Sequence, residues 1–235
     1  FALQGVFGLE NIELPSTLTT ICYNAFLGCS GLKSLDIPDS VNEIGGGAFS
    51  GCSRLTHVKL PNTISKIESS TFNGCYDLEE IILPDTIKSI EGFAFSNCFN
   101  LKSITLPDSI TCIEVCTFEK CYDLESINIP KAVKTIGDRA FFGCRSLRSI
   151  TIPESVCEIG DAAFTGCNLE MIIDAPFFHC DGVCLYDKRN QKLINCCRND
   201  ITEYRIPYSV EIIGYDAFCG CKNLKSIHIP KSVKT

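Results

Sequence analysis

Hydrophobic and polar positions repeat along this chain with a period of 23 residues, and proline marks the period. All ten prolines fall in one series, in which only the step from Pro176 to Pro207 is longer, by eight residues. Before each proline, a short segment such as 32–37 alternates apolar and polar residues, which predicts a β-strand. After each regular proline, an aliphatic residue, isoleucine, phenylalanine and cysteine follow at fixed distances. This pattern predicts a solenoid in which each period is one coil.

The strands of successive coils are expected to run in one direction and to form one parallel sheet, with a rung every ~4.8 Å. A single coil cannot bury its own apolar residues, so neighbouring coils must stabilise one another. Residues 1–235 are therefore interpreted as a single domain. Residues 177–206 form a degenerate repeat, which lacks the regular isoleucine, Ala-Phe and Gly-Cys positions. Segments 181–186 and 192–194 are predicted to form an inserted β-hairpin in that repeat.

The unit L-x-x-I-x-I-P-x-x-V-x-x-I-x-x-x-A-F-x-G-C recurs through nearly all of the chain and resembles the BspA-like, or Treponema pallidum-type, leucine-rich repeats. The inserted segment is similar to the hairpin that such proteins place between repeats. The resemblance implies a right-handed leucine-rich-repeat solenoid, a strand-dominated relative of the α/β horseshoe class. It also implies a bacterial or protist surface protein that takes part in adhesion to host proteins or between microbial cells.

Both ends of the chain fall within a repeat. Residues 2–6 align with residues 25–29, and residues 231–235 stop just before an expected isoleucine. A solenoid needs polar capping repeats to be soluble, and neither end has the sequence of one. We therefore expect the chain to be a segment of a longer protein, truncated within a repeat at both ends.

Composition limits the classes of partner. Apolar residues make up 45% of the chain, which is enough for a continuous core. No stretch approaches the roughly 18 consecutive apolar residues of a membrane span. The net charge of −7 argues against nucleic acid, which is bound by clustered lysine and arginine. The expected partners are proteins, with no nucleic acid and no membrane insertion of this segment.

The 17 cysteines fall into two groups. Eight follow the repeat and are predicted to be buried thiols, each donating its weak S–H to a backbone carbonyl at a tight corner. Of the other nine, Cys157 and Cys180 are 23 residues apart, which places them on adjacent rungs. If the hairpin turns at 188–189, Cys180 instead faces Cys197. Two disulfides therefore compete for one sulfur, and unpaired thiols are a third alternative.

Candidate chemistry is confined to the inserted repeat. His179, Cys180, Cys184, Cys196 and Cys197 would supply enough ligands for zinc, but their spacing is not that of a zinc knuckle. A pair of His179 and Cys180 is the one nucleophilic candidate, and no third group is available to orient it. We therefore predict a protein with no catalytic residues, no metal and no cofactor.

The outward positions of the predicted strands form the expected binding surface, because solenoids bind through such extended faces. Any one of these residues also fits a solvated sheet face. The candidate ligand-binding residues are Lys33, Asp36, His57, Lys59, Glu79, Glu80, Lys102, Glu125, Arg148, Lys225 and His228.

The leading hypothesis is a non-catalytic, cell-surface or secreted adhesion module that binds host or neighbouring-cell proteins. An alternative is an intracellular, cytoplasmic interaction scaffold in which the cysteines stay reduced. A remote alternative is a zinc or thiol site at the hairpin insertion.

Overall fold

The computed structural model describes residues 3–235, so the part of the N-terminal alignment that falls on residue 2 lies outside the described residues. The described chain winds into 23-residue coils made of turns and nineteen short strands, and it contains no helix. It therefore has no helix that is long and apolar enough to cross a membrane. Two sets of strands run along the solenoid, and a hairpin is inserted near its C-terminal end.

The first set of strands, here called the face ladder, lies just before the prolines. Its members are β2 (Ser34–Asp36), β4 (His57–Lys59), β7 (Ser103–Ile104), β9 (Ser126–Ile127), β11 (Ser149–Ile152), β13 (Glu170–Ile173), β17 (Glu203–Arg205) and β19 (Ser226–His228). Pairs within it are parallel and in the predicted register, as in Ser34 opposite His57 and Leu35 opposite Val58. This confirms the predicted strand before eight of the ten prolines, whereas Pro84 follows only an isolated bridge at Glu80 and residues 10–14 before Pro15 form no strand.

A second ladder, which the sequence analysis did not predict, lies on another side of each coil. It contains β1 (Thr20–Ile21), β3 (Glu43–Ile44), β5 (Lys66–Ile67), β6 (Ser89–Ile90), β8 (Cys112–Ile113), β10 (Thr135–Ile136), β12 (Glu158–Ile159) and β18 (Ile212–Ile213). Each strand ends on the isoleucine six residues after proline. The coil therefore has two strands rather than one. Two-residue strands escape prediction because alternation needs about four residues to be visible.

The core is built by stacking equivalent residues of successive coils. The seven phenylalanines from Phe26 to Phe164 form a continuous stack, with ring centroids of neighbours 5.3–5.7 Å apart. The five central rings from Phe49 to Phe141, and Phe164, are fully buried. Offset stacking of this kind adds to the free energy gained by burying the rings. The stack ends at Phe164, because Phe218 packs instead against Tyr204 on the far side of the hairpin.

The predicted hairpin is confirmed as β15 (Cys184–Asp187) and β16 (Lys192–Cys196), and a strand that was not predicted, β14 (Phe178–Cys180), precedes it and pairs with β15. These strands are antiparallel, and β16 also pairs in parallel with β18. The hairpin therefore takes the place of a second-ladder strand in the degenerate repeat. Asp187 stabilises its turn by accepting hydrogen bonds from the backbone N–H of Arg189 at 2.8 Å and the side chain of Asn190 at 2.9 Å.

Candidate binding surface and hairpin site

The outward positions of the face ladder are exposed, as their alternation with core positions requires. In β2, Leu35 is buried whereas Ser34 and Asp36 are exposed, and β4 has the same pattern. All eleven residues predicted for ligand binding are exposed. The prediction that they bind a ligand stays a prediction, because exposure alone is shared with any solvated surface.

Two ion pairs join neighbouring rungs on this face. Lys33 lies 2.7 Å from Glu10, and Lys102 lies 2.6 Å from Glu79. The hydrogen bond from Lys33 lowers the pKa of Glu10, and the hydrogen bond to Glu79 raises the pKa of Lys102. Exposed pairs of this kind add little to the free energy of unfolding. They leave these charges on the face and accessible to a partner.

A cavity of about 400 Å³ lies in the middle of the face, between the rung that contains β4 and the next rung. The face ladder has little strand pairing here, because Glu80 forms only an isolated bridge, to Ser103 on its C-terminal side. Ile82 is 73% exposed at this point. We call this space the face cavity, and its walls include His57, Lys59, Asn62, Glu80, Ile82 and Pro84.

His57, Lys59 and Glu80 of this cavity were predicted from the sequence as binding residues, whereas Ile82 was not. A comparison of the repeats in the sequence could have identified Ile82. Ile82 stands two residues before proline, where the neighbouring repeats have the polar residues Lys59 and Thr105. Because this outward position is polar in both neighbouring repeats, Ile82 exposes an apolar group among charges.

Two of the predicted residues are separated from the other nine by the hairpin. Lys225 and His228 flank or belong to β19, which pairs with β17. Among the described strands, the face ladder pairs in twos, β2 with β4, β7 with β9, β11 with β13 and β17 with β19, so no strand pairing joins β13 to β17 across the hairpin. The structure therefore does not bring Lys225 and His228 into one continuous ladder with the rest.

The hairpin is an internal partition of the solenoid, because the strands β15 and β16 are buried on both faces. Leu185 and Ile194 belong to the main core of the preceding coils, whereas Tyr186 and Leu193 belong to a smaller core shared with the following coil. Alternation of side chains across a strand explains this division. Between Val183 and Arg198, only the turn at 188–191 is exposed.

A second cavity, of about 370 Å³, lies beside the hairpin turn and is called the tip cavity. Its walls include His179, Asp181, Tyr186, Lys188, Gln191 and Pro207. Asp181 accepts hydrogen bonds from the hydroxyls of Tyr204 at 2.5 Å and Tyr186 at 3.1 Å. Burial raises the pKa of Asp181, but bonds from the Cys184 N–H and Tyr204 outweigh it, so the pKa is lowered. His179 stacks on Tyr186, with ring centroids 6.3 Å apart.

The repeating cysteines form the predicted thiol ladder. Seven of them donate their S–H to the carbonyl of a residue 26 positions earlier, at 3.0–3.3 Å. Burial raises the pKa of Cys52 and Cys167 to about 12, so these thiols stay protonated at neutral pH. The eighth, Cys221, differs because the insertion shifts its acceptor to the carbonyl of Arg198, at 3.5 Å.

Of the cysteines in the predicted disulfides, Cys180 lies opposite Leu185 of β15, and Cys197 donates to the sulfur of Met171 at 3.3 Å. Cys157 donates to the carbonyl of Lys134 at 3.4 Å. The two alternative pairings, Cys157 with Cys180 and Cys180 with Cys197, stay predictions. In residues 3–235, His, Cys, Asp and Glu side chains form no group of three or more that could hold a metal ion.

Comparison with known proteins identifies the repeat. The model of the BspA type leucine rich repeat region matches six copies, over residues 1–125, 113–176 and 189–235. The segments that match leave out residues 177–188, where the hairpin begins. No curated protein matches the chain.

Two solved structures are similar. A leucine rich cell surface protein from Faecalibacterium prausnitzii is 28% identical with a TM-score of 0.78, over 92% of this chain and 66% of that protein. The leucine rich repeat protein of T. pallidum is 34% identical with a TM-score of 0.61, over 65% of this chain and 74% of that one. This chain thus spans slightly less than two thirds of the Faecalibacterium protein. On the evidence of its repeat and its coils, the chain belongs to the BspA-type leucine-rich-repeat family.

Proposed function

We propose that this protein is a non-catalytic interaction module, displayed at a cell surface or secreted, which binds a protein of a host or neighbouring cell through the face ladder. A leucine-rich-repeat fold suggests a protein-interaction scaffold. The similar Faecalibacterium protein is described as a cell surface protein, and this supports the proposed location. The exposed, mixed charges of the face favour a polar partner surface rather than nucleic acid.

The observation that carries the proposal is the face cavity around Ile82. An apolar side chain that is 73% exposed beside charged residues provides what a binding hot spot needs. Such spots combine an apolar centre with a rim of polar groups that exclude water. Here His57, Lys59 and Glu80 supply that rim. A partner side chain that fills the cavity would bury Ile82 and pair with these charges.

The positions of the three histidines support a role without catalysis. His57 and His228 lie on β4 and β19, which the hairpin separates, and His179 lies at the tip cavity. A catalytic site needs a nucleophile, a base and an orienting group within hydrogen-bonding reach. His179 stacks on Tyr186, which is a packing contact rather than activation of a nucleophile.

Binding is tested with fluorescently labelled protein on intact host or neighbouring cells, scored by flow cytometry. Ile82→Asp is expected to weaken binding at least about tenfold, the loss of an anchor worth about 1.4 kcal/mol. The matched control is Ile172→Asp, because Ile172 is 59% exposed and lies opposite Thr151, at the equivalent outward position of β13. It is expected to bind as the unchanged protein does.

Cells pretreated with a protease serve as the second control, and they should lose binding if the partner is a protein. Equal binding by Ile82→Asp and the unchanged protein would show that the face cavity is not the site. Equal binding to treated and untreated cells would show that the partner is not a protein.

The location is tested separately, by labelling intact source cells with a membrane-impermeant biotin reagent. The exposed lysines of the face, such as Lys33 and Lys102, should be labelled before lysis. Labelling that occurs only after lysis, with surface and internal controls behaving as expected, would contradict the surface location. It would then favour the intracellular scaffold with reduced cysteines.

A further inference from the structure

Three cysteines at the base of the hairpin differ from the regular thiol ladder in their surroundings. Cys184 lies directly opposite Cys196 in the sheet, and Cys196 and Cys221 both donate to the carbonyl of Arg198, at 2.9 and 3.5 Å. In the ladder from Cys29 to Cys167, by contrast, each sulfur donates to a carbonyl of its own in the previous coil. The hairpin thus brings three thiols to one place.

Cys184 and Cys196 are directly opposite each other at the base of the antiparallel pair β15–β16. Both side chains face the smaller core, and their residues are 0% and 2% exposed. Opposite residues of an antiparallel pair have their Cα atoms about 4.5–5.5 Å apart. Disulfides span Cα separations of about 4.4–6.8 Å. We propose that Cys184 and Cys196 form a disulfide that closes the base of the hairpin.

The hydrogen bonds at the site favour this pair over Cys196 with Cys221. Cys196 and Cys221 both donate to the carbonyl of Arg198, at 2.9 and 3.5 Å. When Cys196 is oxidised with Cys184, the thiol of Cys221 remains as a donor to that carbonyl. When Cys196 is oxidised with Cys221, the carbonyl of Arg198 loses both thiol donors. A polar group that is buried without a partner destabilises the fold.

The bond forms by exchange with a low-molecular-weight disulfide. The thiolate of Cys196 attacks one sulfur of that disulfide, which forms a mixed disulfide and releases the first small thiol. Cys184 then loses its proton and attacks the Cys196 sulfur, which releases the second small thiol. Two protein thiols are oxidised and one small disulfide is reduced to two thiols. Because both cysteines are buried, the exchange takes place during folding or when the base of the hairpin opens.

Peptide mapping of the whole chain tests the proposal. Protein equilibrated with oxidised and reduced glutathione is alkylated under denaturing conditions, then digested without reductant by trypsin and a protease that cleaves before aspartate. This digest separates Cys184, in peptide 181–186, from Cys180, in peptide 174–180. Peptide 181–186 is expected to be linked to peptide 193–198, whereas the ladder cysteines, such as Cys98, are expected to be alkylated.

Because Cys196 and Cys197 share peptide 193–198, two variants assign the linkage. The link to peptide 181–186 should persist in Cys197→Ser and disappear in Cys196→Ser. Alkylation of both Cys184 and Cys196 under oxidising conditions would overturn the proposal, and so would a link from Cys196 to Cys221.

A measurement of thermal stability tests the Cys184–Cys196 disulfide independently. Reductant should lower the thermal unfolding midpoint of the unchanged protein, because reduction restores the freedom of the unfolded chain between the two cysteines. It should lower the midpoint of the double variant Cys184→Ser/Cys196→Ser by less, because only disulfides between other cysteines remain to be reduced there. Cys219→Ser, at an exposed cysteine, is the control and should respond to reductant as the unchanged protein does. An equal response of the double variant would overturn the proposal.

Discussion

At the residue scale, the thiol ladder shows how one small side chain serves both the core and the backbone. Cys98 is fully buried, and its sulfur donates to the carbonyl of Phe72 at 3.2 Å. Serine would fit the space but bury a stronger polar group, and alanine would leave a gap. Cysteine is a small apolar residue that also carries a weak donor, which is what this corner requires.

Cys98→Ala is therefore expected to lower the free energy of unfolding by about 1–2 kcal/mol, through a small cavity and the lost hydrogen bond. Urea titration followed by circular dichroism measures this change. Cys22→Ala is the control, because Cys22 is exposed and should change the free energy of unfolding little. Equal values for the two variants would contradict a structural role for the ladder.

The ladder thiols also predict how stability depends on pH. Burial raises the pKa of Cys52 and Cys167 to about 12 from an ordinary value of 9.0. Above pH ~9 these thiols lose their protons in the unfolded chain before they do so in the folded one. Their contribution to the free energy of unfolding is therefore complete below that pH and is lost as the pH rises toward 12. Thermal midpoints between pH 8 and 10.5 test this. The double variant Cys52→Ala/Cys167→Ala should show a shallower decline, and an equal slope would argue against the thiols as the cause.

At the scale of the element, coils stack so closely that some turns admit no side chain. A Cβ atom on Gly137 would lie 2.7 Å from the backbone nitrogen of Val115 and 2.9 Å from the carbonyl carbon of Glu114. These atoms belong to the previous coil, and backbone cannot move aside as a flexible side chain can. The approach of the second ladder strands β8 and β10 thus depends on glycine here.

Gly137→Ala is expected to destabilise the protein by about 1–3 kcal/mol through overpacking, although alanine lowers the conformational entropy of the unfolded chain and so by itself favours folding. Gly8→Ala is the matched control, because a Cβ atom there meets nothing within 4 Å. Differential scanning calorimetry of both variants measures the change. A stabilised Gly137→Ala would show that the coils are farther apart than the structure has them.

At the scale of the whole molecule, the hairpin joins two cores. Leu185 is fully buried in the main core, and its neighbour Tyr186 belongs to the smaller one. In a repeat protein, each unit is stabilised mainly by contacts with its neighbours. The hairpin is therefore the interface through which the coils before it and the coil after it support each other.

Leu185→Ala is expected to lower the free energy of unfolding by about 2–5 kcal/mol, the cost of a cavity at a buried leucine. Hydrogen exchange followed by mass spectrometry should show lost protection on both sides of the hairpin. Lys188→Ala, at the exposed turn, provides the comparison and should leave exchange unchanged. If only the turn loses protection in Leu185→Ala, the hairpin does not couple the two cores.

The regular part of the fold could be predicted because each coil repeats the same local pattern. The period of 23, the strand before each proline, the buried Phe and Cys positions and the exposed face are all local properties of one unit, copied along the chain. A pattern that is repeated several times averages out the ambiguity of any single segment. The hairpin was also predictable, from its two apolar runs within the degenerate repeat.

The tertiary structure decided what depends on contacts between residues that do not repeat. The apolar runs in 181–186 and 192–194 predict strands, but only packing shows that both faces of the hairpin are buried and divide the core. The face cavity exists because two neighbouring rungs do not pair, and the contact of Cys184 with Cys196 requires the actual register of β15 and β16. Sequence periodicity determines which residues point inward. Their distances and their partners across unlike segments are determined only when the chain is packed.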